Sequence, residues 1–427
     1  MFELTYTARN VLVGATMLGV VGGVIGCFAF LRRQSLLGDA LAHAALPGVC
    51  LGFLLTGTKH PLPLFLGALA AGVVGALAIL AIVRHSRLKE DTAIGMILSV
   101  FFGFGIVLLT HIQQLPLGNQ SGLDKFLFGQ AATLGPRDLQ IMAVLGAIVL
   151  LLVGAYYKEL KLLAFDREFG DSLGLPMRAL EILLTLLLVT VVVVGLQTVG
   201  VILIVATLVT PAAAARQWTD RLGVMLALAA ALGGGAGALG ALVSASIPRL
   251  PTGPVIVLLA SAALVASLLL APHRGLLWAL IADRRLVWRI RRENLLRDLY
   301  VLGERRGDWS WPVPWSELMG MRGQSGNELA TVTRRLLGRG ALETTASGAR
   351  LTPSGLAEGR QIIRKHRLWE LYLTRQLELA SDHVHRDADA MEHTLSEEAV
   401  RALAERLGHP TEDPHGRPIP PLDEAAA

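Results

Sequence analysis

Nine apolar stretches, each close to the length needed to cross a bilayer, fill this chain as far as about residue 272 and then stop. A spanning helix needs roughly 20 apolar residues, and within lipid only a helix or a closed barrel satisfies every peptide group. The stretches run over 11–31, 36–56, 64–83, 93–112, 139–156, 179–195, 199–215, 223–244 and 255–271. Beyond them Arg, Glu, Asp and His become frequent and no run could span a membrane. The pattern predicts a polytopic all-α membrane domain of eight or nine transmembrane helices over residues 1–272. A basic linker helix over 273–292 follows, then soluble structure over 293–358 and 359–427. The 45 glycines suit the first part, because small residues let membrane helices pack closely. No cleavable signal is expected, since residues 1–10 lack a basic region and the next run is long enough to span. Two cysteines, Cys27 and Cys50, allow neither a disulfide framework nor a Cys-rich zinc site.

The segment 179–215 reads as one long tilted helix or as two short crossings broken near Gly195-Leu196-Gln197-Thr198-Val199-Gly200. Basic clusters lie at Arg32-Arg33, at 84–89, 158–167 and 216–221, and from Arg274 onward. Cytoplasmic loops carry the excess of Lys and Arg, and all five clusters share one side only if this segment crosses twice. Nine crossings are therefore preferred, with the N-terminus outside and the C-terminus in the cytoplasm. Residues 115–137, with Leu123 to Gln130, then form an external loop, and 158–174 form the longest cytoplasmic one. The latter mixes charged and apolar residues, which suits a short amphipathic helix lying on another protein or on the lipid surface. Lys89-Glu90-Asp91-Thr92 reads as a helix start capped by Asp91 or Thr92. His60, His85 and His111 stand near loop ends and read as solvated or interfacial.

Asp39 and His43 stand one helical turn apart inside the second stretch. Residues i and i+4 share a helix face, and ionisable groups in hydrocarbon usually face a bundle interior or a polar pathway. A carboxylate and an imidazole suit a divalent first-row metal. A polar contact between helices is the plainer alternative. Counted from Arg33, His43 lies roughly 15 Å deep, near the bilayer midplane. Two residues are too few to enclose a metal, so further ligands would come from a second subunit, from water or from residues the sequence does not single out.

In the soluble part, residues 315–319 and 327–337 read as helices, and 341–345 with 349–352 read as a hairpin. With the helix around 293–302 this is the order of a winged helix-turn-helix, with 327–337 in the recognition position. Residues 354–377 form a helix carrying His366 and Glu370 at i, i+4. A further helix carries His385, Asp389, Glu392 and His393 on one face. Six nitrogen or carboxylate ligands on two helices indicate a metal more strongly than any single histidine, against the plain alternative of a solvated charged face. An intramembrane metallohydrolase is disfavoured, since no His-Glu-x2-His motif exists.

The membrane half resembles the metal-ion permease family of bacterial ABC importers, which take up manganese, zinc or iron. The resemblance covers about residues 10–272. It is carried by the run from Gly38 through Asp39 and His43 to Val49, by Lys89 to Gly95, by Phe126 to Gln130, and by Val199 to Leu203 with Thr210 to Ala214. It implies a permease dimer, homomeric or heteromeric, two cytoplasmic ABC ATPase subunits and an extracytoplasmic metal-binding protein. Asp39 and His43 then match the metal positions of the translocation pathway. Lys161, Leu162, Phe165, Asp166, Phe169, Gly170 and Gly174 match the coupling helix that sits in an ATPase groove. This chain has no Gly-x4-Gly-Lys-Ser/Thr sequence, so no nucleotide is bound here by that route and a separate chain hydrolyses ATP. The chain itself is expected to be a transport permease of the bacterial inner membrane, not an enzyme.

The soluble half resembles the iron- and manganese-dependent repressors of the diphtheria-toxin-repressor family, over about Glu293 to Leu422. Arg364 to Glu370, Val384 to His393 and Gly408 to Pro420 carry this resemblance. It implies a winged helix-turn-helix plus a helical metal-binding and dimerisation domain, with the metal on His366, Glu370, His385, Asp389, Glu392 and His393. Such a domain would sense intracellular metal and adjust transport. Alternatively, it would act as a working repressor, with Arg334 and Arg335 on DNA phosphates. The chain departs from the family early in the first helix: Asn294 and Arg297 stand where manganese-type members carry acids. Glu328 opens the recognition helix, where an acid repels phosphate. From Pro272 onward about 23 basic and 22 acidic residues nearly balance, unlike the basic footprint of a DNA binder. Oxygen and nitrogen ligands without Cys favour manganese, with iron or zinc as alternatives.

Overall fold

The computed structural model describes residues 5–57, 61–115, 134–196, 199–247, 249–272, 274–322, 325–376 and 395–421. The chain divides into two compact units, Met1–Ala279 and Leu280–Ala427.

The first unit is all helix: α1 (Tyr6–Leu31), α2 (Leu37–Thr56), α3 (Pro61–His85), α4 (Glu90–Gln114), α5 (Pro136–Ala155), α6 (Tyr157–Phe165), α7 (Arg167–Ser172), α8 (Met177–Leu196), α9 (Val201–Trp218), α10 (Leu222–Ser246) and α11 (Thr252–Leu270). Among the described residues, eight helices are long and apolar enough to cross a membrane: α1 to α5, α8, α10 and α11. The 18-residue α9 joins them in the core. The segment 179–215 is thus two helices. Gly200, at φ +88°, makes the break in a conformation that a residue with a Cβ rarely adopts. The start of α4 differs from expectation. Lys89 is the cap residue and makes no side-chain cap bond. Glu90 and Asp91 fall instead within the first turn, where carboxylates meet the positive end of the helix dipole.

Small residues set the packing. α1 lies against α10 so closely that a Cβ on Gly19 would stand 2.1 Å from the Gly233 carbonyl oxygen. Around α2 pack α3, α4, α8 and α9. The result is nearly complete burial of α2 from Leu37 to Cys50, with Ala40, Leu41, Ala42, Ala44 and Ala45 fully enclosed, while Leu51, Leu54 and Leu55 beyond are exposed.

The second unit holds α12 (Leu276–Arg306), β1 (Val313–Pro314), α13 (Trp315–Arg322), α14 (Gly326–Leu337), β2 (Leu342–Thr344), β3 (Gly348–Leu351), α15 (Pro353–Gln376) and α16 (Glu397–Arg406). The expected hairpin forms as β2–β3, and β1 adds to the other edge of β3 in antiparallel register, Val313 opposite Ala349. β1 was not visible in the sequence, because a two-residue strand ending in proline has no alternation to read. Leu296, Leu299, Val332, Leu336, Leu342 and Ala349 share one core. Leu368, Leu371, Val400, Leu403 and Ile419 form a second, between α15 and α16.

Candidate functional site

α2 begins at Leu37 after a turn in which Arg33 takes φ +60°. His43 therefore lies about 9 Å along α2, not the 15 Å obtained by counting helix from Arg33. Asp39 sits in the first turn of α2. Between Leu37 and Cys50 every residue is buried except Asp39 and His43, whose side chains are 34% and 17% exposed. His43 Nε2 lies 3.5 Å from Asp39 Oδ1. Phe102 of α4 meets the imidazole edge to face, with ring centroids 4.6 Å apart. His43 Nδ1 is buried with no hydrogen-bond partner among the described residues. An oxygen and a nitrogen at this separation can share one cation: bonds of about 2.1 Å to each would subtend about 110° at the metal. Among the described residues no group of three or more His, Cys, Asp or Glu side chains gathers here or elsewhere. Cys27 and Cys50 are turned to the Met225 and Gly105 carbonyls, each at 3.8 Å.

The segment 158–174 folds as two short helices. Asp166 ends α6 and caps α7, its Oδ1 accepting from the Phe169 N–H at 2.9 Å. Lys161, Phe165 and Phe169 are exposed, Leu162 is half-buried, Gly170 is buried, and exposed Gly174 follows at φ +76°. Phe165, Phe169 and Leu173 leave three large apolar side chains uncovered four residues apart. Leu173 was missed in the sequence, though its spacing from the two phenylalanines was the available signal. Also missed was the anchor of this segment. Arg167 Nη1 lies 2.9 Å from Glu181 Oε2 on α8, and Arg32 at the end of α1 donates to Glu181 Oε1. The readable signal was an acid inside an apolar run. Next to it, Gln34 donates to Glu90 at the start of α4.

In the second unit α15 brings His366 and Glu370 together, Nε2 to Oε1, at 3.1 Å, with both residues buried. Arg297 of α12, also buried, donates from Nη1 to His366 Nδ1 at 3.2 Å. His385, Asp389, Glu392 and His393 lie outside the described residues, as do Leu123 to Gln130 and His60. Nδ1 of His366 is thus engaged by a guanidinium in this arrangement. Arg334 and Arg335 are exposed in the last turn of α14. Arg335 and Arg339 lie over the Trp288 ring at 5.5 and 4.7 Å from its centroid, so Arg335 packs within the unit. Glu328 closes a capping box with Ser325 and bonds Arg291 at 2.6 Å, which accounts for an acid at this helix start. His85 and His111 are exposed.

Known proteins match both units. The ABC 3 transport family matches residues 4–271, and the metal binding and dimerisation domain of iron dependent repressors matches residues 352–421. The manganese transport system membrane protein MntC of Bacillus subtilis is 44% identical over 92% of this chain and 91% of its own. The zinc transport system membrane protein TroC of Treponema pallidum is 48% identical over 69% of this chain and 96% of its own. The solved structure of PsaBC from Streptococcus pneumoniae, in complex with Fab, superimposes with a TM-score of 0.57 at 36% identity, covering 63% of this chain and 94% of that one. With a family match across its apolar half and a relative aligned along nearly its whole length, the chain belongs to the ABC 3 transport family, as a multi-pass permease of the manganese and zinc transporter type with a C-terminal repressor-like domain.

Proposed function

We propose that this permease imports manganese, and that Asp39 and His43 contact the ion during passage. One observation carries the reading. Along the buried first half of α2 these two residues alone keep an open face, and they present a carboxylate oxygen and an imidazole nitrogen 3.5 Å apart. The pair is an incomplete shell, so the rest comes from water and from a second permease subunit facing it. Weak, incomplete coordination suits a pathway, where an ion must also leave. Manganese is favoured over iron or zinc because the pair offers one hard oxygen and one nitrogen, and both thiols are engaged elsewhere.

The partners follow from the same reading. ABC ATPase subunits dock on the segment from Lys161 to Gly174, where Phe165, Phe169 and Leu173 form an apolar patch beside charged neighbours. An extracytoplasmic metal-binding protein delivers the ion on the other side. The basic clusters favour the cytoplasmic side of a bacterial inner membrane for the docking segment and the C-terminal unit.

Uptake of radioactive manganese, with iron and zinc as competitors, tests this in cells that carry the partner subunits. Asp39→Ala is expected to abolish uptake while membrane assembly stays intact. Normal uptake by that variant would refute the pathway role.

A further inference from the structure

We infer that Arg297 is a built-in cation that stands in for a metal ion in the repressor-like unit, so that α12 is held on α15 without metal. Arg297, His366 and Glu370 form a buried chain. The guanidinium has only donors, so His366 Nδ1 accepts from it, and the remaining ring nitrogen, Nε2, carries the hydrogen directed at Glu370, 3.1 Å away. His366 has no second lone pair. The one it has is directed at Arg297, and a divalent ion arriving there would meet a fixed positive charge at hydrogen-bond distance.

The chain also sets charge against charge. It runs from a guanidinium to a carboxylate, and both lie in the interior, where an unpaired charge is costly. A second link lies two turns further along α12. Glu304 accepts from Arg367 of α15, Nη2 to Oε2 at 2.6 Å, and the Arg367 side chain is almost fully enclosed. One arginine–histidine link and one arginine–carboxylate link thus join α12 to α15. His43 supplies the contrast. It too stands four residues from an acid, yet its Nδ1 has no partner among the described residues. The same spacing serves an open site in one unit and a closed one in the other.

The test uses the full-length protein in detergent, with Asp39 and His43 both changed to Ala so that the pathway pair is silent. The protein is incubated with manganese chloride and gel-filtered, and its metal content is counted with and without His366→Ala. The expected result is the same manganese content in both, and no rise in unfolding temperature on adding manganese. A loss of one manganese per chain on removing His366 would overturn the inference. Arg297→Glu is the complementary variant and is expected to gain His366-dependent manganese and a manganese-dependent rise in unfolding temperature. Where that variant does not fold, the count on the Arg297 protein decides alone.

Discussion

Glu181 carries two arginines that the sequence keeps far apart. Arg32 closes α1 and Arg167 opens α7, and both reach one carboxylate on α8. The Arg32 side chain is largely buried, so Glu181 is its neutralising partner in a place where water does little. Removing one member of such a pair strands the other charge, a loss of roughly 3 kcal/mol. Glu181→Gln is therefore expected to lower the unfolding temperature of the detergent-solubilised protein, while Glu181→Asp restores part of the loss; an unchanged transition would show that water compensates Arg32. Residue identity made some of the site legible. Asp39 and His43 stood out because charge in an apolar run is rare, and by that argument Glu181 was equally visible. Its partners were not, because 149 residues separate Arg32 from Glu181 and only the packing of α1 on α8 brings them together. Arg297 illustrates the same limit. The sequence marked it as a departure, but its contact with His366 depends on how α12 meets α15.

At the level of elements, apolar length and basic clusters were enough to read the membrane helices, including the break between α8 and α9. Helix ends were read less well, as at α4, because an end is fixed by tertiary partners as much as by cap chemistry. The segment 158–174 shows why such ends matter. α7 has six residues, too few to be stable alone, and it stays folded because Asp166 caps it and Arg167 ties it to α8. A side-chain cap contributes about 1 kcal/mol, a large share for so short a helix. Asp166→Ala is expected to fray α7 and turn Phe169 away from its position, lowering ATP-driven uptake more than basal ATP hydrolysis by the associated subunits. Asp166→Ser keeps a capping oxygen and is expected to retain coupling. Equal uptake in both variants would show that the cap has no part in it. The effect has a route to Asp39 and His43. Arg167 and Arg32 share Glu181, and the turn after Arg32 leads straight into α2, which carries Asp39 in its first turn.

On the scale of the whole molecule, each unit has its own core. The membrane helices close around α2, while the repressor-like unit has two separate clusters, one under the winged part and one between α15 and α16. TroC is covered over 96% of its length by an alignment of 293 residues, so that relative has little beyond a membrane unit. A self-contained core and a near-complete relative both argue that residues 1–275 of this chain fold and insert without the rest. Whether the second unit then regulates transport depends on whether it responds to metal, and a guanidinium fixed on His366 argues that it does not respond through that residue. The chain shortened to residues 1–275 is therefore expected to import manganese at the full-length rate per molecule, and to show the same dependence on internal manganese. The measurement is initial uptake in cells preloaded with graded manganese, normalised to permease in the membrane. If the full-length chain slows at high internal manganese and the shortened one does not, the second unit is a feedback sensor.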